Sequence, residues 1–433
     1  MSGTSPATGA LLVLGLGLAG CVKLPQESSV FIAADGTRSA GSSDVTMQVE
    51  LLGNPYQATY PGGGHIYARN IWAMCACNGE VMLGAGNSSD EGPAQNAGPV
   101  PLVAFSPSNG HFRVIFTVDD EQIDVFRVLH GKVYIPGHDP RESWSFGNYY
   151  RLEEDGRWRK FRNILFGVHN YDMTTSGGLL FAGLGTPHGA AVAVSTNTGV
   201  SWTNTRIANS RIYAFLTAQN TVYAVGVMAR RAHHETTEAA EALVGIYQYD
   251  GAVGFRSRDD LGPAQLFPGV TVRPEAKVRI ARAVSFKDHA VYLGAYCHND
   301  HQFLSFGAFV AQSLSEGAVS IRHVALPKAS RAWDLLVDGD TLYLLTDVPD
   351  AEGTTVRILA SSDGRAWSER LHFRSRTFAR SFTLLDGDFY FGLGCEVADP
   401  GQWTMQELPP ETGNILRVKR AVWNRLVSNG ART

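Results

Sequence analysis

The chain has 433 residues, 18% of them charged and 46 of them glycine, with a formal net charge of −4. That length suits two or three ordinary domains or one large β architecture, and low charge with many glycines and aromatics favours a turn-rich all-β protein. The negative balance argues against a nucleic-acid partner, since phosphate binding needs a basic face. Five cysteines, Cys21, Cys75, Cys77, Cys297 and Cys395, are too few for a disulfide scaffold and match no zinc spacing. Cys75 and Cys77 lie two apart on an expected strand, share a face, and read as small core residues.

In chain order the first feature is the apolar run Ala10–Gly20, too short to span a bilayer and the right length for a signal-peptide core. It ends in Leu18-Ala19-Gly20-Cys21, which resembles the lipobox of bacterial lipoproteins. The resemblance implies cleavage before Cys21, lipidation of that cysteine, and a place in the cell envelope. Val22 follows where many inner-membrane lipoproteins carry Asp, so the outer membrane or cell surface is expected. Residues 1–9 lack the Lys or Arg usual in such a leader. Residues 1–20 thus read as signal peptide and 21–45, rich in Ser, Gly and Ala, as a tether.

From there a unit recurs: a turn with Gly, Asn or Asp, then an apolar-aromatic-apolar run. It appears at 79–84, 131–135, 178–183, 220–226, 289–294, 340–344 and 388–392. Seven copies about 40 to 70 residues apart have the size of four-strand propeller blades. Strand A alternates before each turn, strand B is the run itself, and strand C follows a loop of variable length. A second turn leads to strand D, at Asn109-Gly110, Asp155-Gly156, Thr198-Gly199, Asp250-Gly251, Glu316-Gly317 and Asp363-Gly364. That is six C–D turns for seven repeats. The seventh unit has a C strand at 414–418 and no D strand after it. An N-terminal strand at 46–52 is expected to complete it and close the ring, removing exposed sheet edges. The expected fold is therefore an all-β seven-bladed β-propeller over 46–424, closed by an N-terminal strand, with 425–433 as a tail. Residues 229–242 and 262–278 read as insertions on one face. Two β-sandwiches or a right-handed β-helix fit the repeated A–B–C–D order less well.

Three of the C–D turns share a pattern. Ser195-Thr196-Asn197-Thr198-Gly199-Val200-Ser201-Trp202 is the fullest, Ser361-Ser362-Asp363-Gly364-Arg365-Ala366-Trp367 is shorter, and Glu154-Asp155-Gly156-Arg157-Trp158 is looser. They resemble the Asp-box of sialidase-like (BNR-type) propellers. The plainer reading of these turns is structural, with Trp wedged between sheets. The blade-one signature of sialidases, an aromatic-Arg-Ile-Pro run, is absent; the matching region reads His65-Ile66-Tyr67-Ala68-Arg69-Asn70.

In a propeller the B–C loops and D–A crossings meet at one axial mouth, and the candidate ligand-binding residues are those placed there. They are His65, Tyr67, Arg69, Asp124, His169, Tyr171, Asp172, Arg211, Tyr213, Arg282, Arg331, Trp333 and Arg380. Arginines suit a carboxylate and aromatics a sugar ring, although arginines bridging the blades would need no ligand. His298, Asp300 and His301 are the candidate ligands for a divalent metal, in a loop that lacks fixed helical geometry. No other cofactor is expected, and no residue is assigned a catalytic role. The expected function is a lipid-anchored propeller binding a glycan or an envelope or surface protein without catalysis. The alternative is a lyase or hydrolase acting on acidic glycans, in which His, Tyr and Arg at the mouth abstract a proton beside a carboxylate.

Overall fold

The structure, a computed structural model, describes residues 43–88, 96–208, 211–229, 245–251, 254–272, 277–298, 302–396 and 408–430. Seven antiparallel sheets stand in a ring, each built of strands A to D from the axis outward. Blade one comprises Ala73–Cys77, Glu80–Gly84, Val100–Ser106 and His111–Val118. Blade two comprises Arg127–Leu129, Lys132–Pro136, Phe146–Leu152 and Trp158–Leu165; blade three His169–Ser176, Leu179–Thr186, Gly189–Ser195 and Thr203–Ala208. Blade four comprises Ile212–Ala218, Thr221–Gly226, Ile246–Asp250 and Gly254–Ser257. Blade five comprises Lys277–Phe286, His289–His298, Gln302–Ser313 and Ser320–His323, with Met228–Ala229 added beside its inner strand. Blade six comprises Arg331–Asp338, Thr341–Asp350, Gly353–Ser361 and Ser368–Ser375.

Blade seven is assembled from both ends of the domain. Ala379–Leu385, Asp388–Leu393 and Ile415–Val418 are joined by Glu50–Gly53, in the register Glu50↔Arg417 and Leu51↔Leu416. The closing strand is shorter than the expected 46–52, because Thr46–Gln48 coil into a 3₁₀ turn. Just before it, Val45 N–H donates to His372 O and His372 N–H to Ser43 O, both at 2.9 Å, pinning the incoming chain to the outer strand of blade six. At the other end, Arg420–Gly430 form a helix where the sequence suggested the domain edge and a tail. Trp423 Nε1 donates to Gly387 O at 2.9 Å and fixes that helix to the A–B turn of blade seven.

All seven A–B connections have two residues, as at Cys77↔Glu80 and Leu385↔Asp388. Six carry positive φ at both residues, as in Asn78-Gly79 and Asp386-Gly387, the turn whose twist matches paired strands. The core is a ring of layers between neighbouring blades. Leu129, Tyr149, Met173 and Leu184 fill the gap between blades two and three; Phe286, Leu293, Leu335 and Leu344 fill the one between five and six.

The Asp–Gly-type turns latch this ring. Ser195 Oγ accepts from Gly199 N at 2.8 Å, and Asn197 Oδ1 accepts from Ser201 N at 2.9 Å. Tyr149 Oη and Asn163 Nδ2 of blade two both donate to Gly199 O, at 2.9 and 2.8 Å, and Trp202 Nε1 reaches Asn163 Oδ1 at 3.2 Å. In blade six Asp363 Oδ1 plays the Asn197 part, taking Arg365 N and Ala366 N at 2.7 and 2.9 Å. Trp367 packs on the cluster shared with blade five, and Trp158 on the cluster shared with blade one. These tryptophans are wedges between sheets, as the plainer reading expects.

Candidate functional site

Each inner strand from blade three to blade seven slips by one residue where it enters the axis. The slips fall at Tyr171, Tyr213, Ala281, Trp333 and Arg380. A bulge bends the strand and re-aims side chains. Here it is followed directly by Asp172, Arg282 and Asp334, which line the axial cavity.

There they form a plug. Arg127 Nε and Nη2 grip Asp172 at 2.7 and 3.0 Å, and Nη1 donates to Ala283 O at 2.9 Å. Asp172 also accepts from its own Met173 N at 2.8 Å and from Phe215 N of the next blade at 2.9 Å. Asp334 repeats the device, accepting from Leu335 N at 2.9 Å and Phe382 N at 3.2 Å. Arg282 stands between two carboxylates, 3.7 Å from Asp124 and 3.6 Å from Asp334, while donating to Trp72 O at 2.5 Å and Ala281 O at 3.0 Å. Burial raises Asp334 to about 6 against the pull of Arg282. Burial also pushes Asp124 up, but Arg282, His138 and Arg279 together hold it below the usual carboxylate range.

On the B–C side of the plug, blades two to five present a cationic and aromatic cluster. Tyr171 lies between His169, stacked at 5.4 Å, and Tyr213, whose ring centre is 4.3 Å away; His138 meets its edge at 5.0 Å. Arg211 Nη1 donates to Tyr171 Oη at 2.7 Å, and Arg279 lies over the Tyr213 ring at 4.7 Å. Arg211 is exposed, whereas Tyr171 is buried and its hydroxyl is held well above its ordinary pKa by burial.

Blades six, seven and one fill their side of the mouth with structural contacts. Arg331 is held by Asp347 through Nε at 2.8 Å and a second, shorter contact, and Trp333 Nε1 donates to the same carboxylate at 2.8 Å. Trp333 stacks on Phe378 at 3.9 Å. Arg380 lies 4.1 Å over Trp72, pairs with Glu396, and donates to Asn70 Oδ1 at 2.8 Å.

Of the thirteen axial candidates, His169, Tyr171, Arg211 and Tyr213 therefore come together. Asp124, Asp172 and Arg282 are in the plug, and Arg331, Trp333 and Arg380 are tied into the blade walls. His65, Tyr67 and Arg69 do not begin a strand: Gly63–Arg69 is a 3₁₀ helix. His65 is exposed there, Tyr67 is buried edge-on to Trp72, and Arg69 is buried with Nε on Tyr60 O at 2.6 Å. Cys75 is buried and its thiol pushed up to about 12, as suits a core residue. Cys21, Asp300 and His301 lie outside the described residues, as does the His298 side chain, and among the described residues no three His, Cys, Asp or Glu groups could hold a metal ion. No helix among them is long and apolar enough to cross a membrane.

A cavity opens on the other mouth. About 690 Å³ of space is lined by the second halves of the inner strands, toward the A–B turns. Its walls carry Thr174, Thr217 and Ser285, and its apex Arg127, Asp172, Arg282 and Asp334. The sequence listing stopped at the strand starts and missed this wall. Its only sequence signal was the run of hydroxyl residues at the ends of the inner strands.

No protein-family model matches the chain, and no curated protein matches it. Solved structures do resemble it. Hydrazine synthase of Kuenenia stuttgartiensis has a TM-score of 0.47 at 10% identity, over 82% of this chain and 97% of that one. The Neurospora crassa Pan2 WD40 domain has a TM-score of 0.44 at 9% identity, over 85% and 93%. The β-propeller domain of the Trilobed protease from Pyrococcus furiosus has 0.43 at 8%, over 74% and 89%. At such identity the likeness concerns the fold alone. The seven-blade assignment rests on the sheets and their closure.

Proposed function

We propose that the protein binds an acidic glycan at the B–C mouth and performs no reaction on it. The observation that carries this is the grouping of Arg211 and Arg279 around the adjacent Tyr171 and Tyr213 rings. Guanidinium groups match a carboxylate, and the aromatic side chains beside them supply an apolar wall for a sugar. A lyase would need a mouth residue poised to take a proton near neutral pH. Burial holds the Tyr171 hydroxyl well above its ordinary range, so Tyr171 is not that residue.

The test is a glycan array followed by calorimetry on the chain from residue 43 onward. Retention of uronate- or sialate-bearing glycans is expected, with affinity falling at least tenfold in Arg211→Ala. Indifference to Arg211→Ala, or no acidic glycan retained, removes the proposal; an unsaturated uronate product replaces it with the lyase. In the same reading Cys21 carries a lipid anchor that places the propeller on the envelope surface. Metabolic labelling with palmitate, lost in Cys21→Ser, tests that part separately.

A further inference from the structure

The funnel behind the plug has a charge balance that the B–C mouth does not share. Five charged side chains line it: Arg127 and Arg282 against Asp172, Asp334 and Asp338. Arg127 and Asp172 neutralise each other through two hydrogen bonds. Arg282 divides itself between Asp334 and Asp124, and Asp124 does not line the funnel. Asp334 is thus hydrogen-bonded by two main-chain N–H groups, with Arg282, the cation paired with it, 3.6 Å away. Asp334 and Asp338 both line a cavity of about 690 Å³, with Thr174, Thr217 and Ser285 also on its wall.

An ammonium group has three donors and no acceptor, and a carboxylate with neighbouring hydroxyls supplies what it needs. We propose that this funnel is a second binding site, for a small organic cation carrying a primary ammonium group. The volume admits a linear polyamine or a monosaccharide-sized amine. Its ligand differs in charge from the one at the opposite mouth, and the plug separates the two.

Acidity adds a control. Burial raises Asp334 to about 6, with Arg282, the Leu335 and Phe382 N–H groups and Arg127 opposing it. The charged groups around it are Arg282 from blade five, Arg127 from blade two, Asp172 from blade three and Asp338 on its own strand. A proton on Asp334 removes the charge that attracts the amine, so binding weakens as pH falls through about 6.

Calorimetry on the full-length chain with spermidine, putrescine and glucosamine, against glucose and sodium chloride at equal ionic strength, tests this. Saturable binding of at least one amine at pH 8 is expected, at least tenfold weaker at pH 5 and in Asp334→Asn. Ser285→Trp fills the funnel from its exposed rim without entering the core, so it should abolish amine binding while leaving the melting temperature and acidic-glycan binding unchanged. Absence of amine binding at pH 8 overturns the proposal. So does equal binding of glucose, or amine affinity unmoved by Ser285→Trp.

Discussion

Asp172 and Asp334 occupy the same place in blades three and six. Each follows the bulge of its inner strand, each takes an N–H from its own strand, and each takes one from the inner strand of the next blade. They differ only in their arginine. Arg127 closes on Asp172 with two hydrogen bonds, while Arg282 stands off from Asp334 and shares itself with Asp124. The shared part joins blade to blade. Both carboxylates line the cavity, but one is gripped by two arginine hydrogen bonds and the other has its arginine 3.6 Å away, so one architectural device yields both a structural ion pair and a candidate binding group.

Substitutions at the two positions should therefore differ in size. Asp172→Ala leaves a guanidinium without its carboxylate and two N–H groups without an acceptor. A loss of about 3 to 5 kcal/mol is expected by denaturant unfolding, the range for breaking a buried pair from one side. Part of that loss should return in the double variant with Arg127→Met, measured as a coupling energy. Asp334→Ala orphans the same two N–H groups but leaves Arg282 with Asp124 and two carbonyls, so about 1 to 3 kcal/mol is expected. Equal losses at the two sites would show that the arginines do not distinguish them.

The next effect is on pH dependence. With its native pKa raised to about 6, Asp334 keeps a proton in the folded state that the unfolded chain has released. Stability is then favoured at low pH and falls as pH rises from the usual carboxylate value toward 6. Asp120, also raised to about 6 by burial although Tyr150 and Asn148 hydrogen-bond it, contributes in the same direction. In thermal melts from pH 4 to 7, Asp334→Asn should lose part of this contribution, gaining stability relative to the parent as pH rises. An unchanged difference between the two across that range would show that Asp334 does not contribute. The smallest effect is expected outside the channel, at the blade latch. Asn197→Ala removes the acceptor of Ser201 N and should cost about 1 kcal/mol, with the plug untouched.

Much of the frame is legible in the sequence. Tight-turn residues and aromatic runs recur with the length of a blade, and the count of six C–D turns for seven repeats pointed to closure by the N-terminal strand. These features are local: a turn needs particular φ angles and a strand needs alternation, and both are written in a few adjacent residues. The mouth was legible only in part. His169, Tyr171, Arg211 and Tyr213 lie together because position in the repeat fixes their end of the strand. His65, Tyr67 and Arg69 were misplaced because a 3₁₀ helix interrupts the alternation that the argument extended through them.

The sequence by itself determined the repeat, the turns, the order of strands and the closing of the ring. Tertiary structure alone decided which charged groups meet on the axis. A one-residue bulge turns Asp172 and Asp334 toward the channel, and no local pattern records it, since Tyr171-Asp172 and Trp333-Asp334 read equally well in either register. The pairing of Arg127 with Asp172 crosses 45 residues, and Arg282 reaches the Trp72 carbonyl across 210. Such contacts depend on how seven blades converge, so the plug, and with it the separation of the two mouths, belongs to the assembled ring.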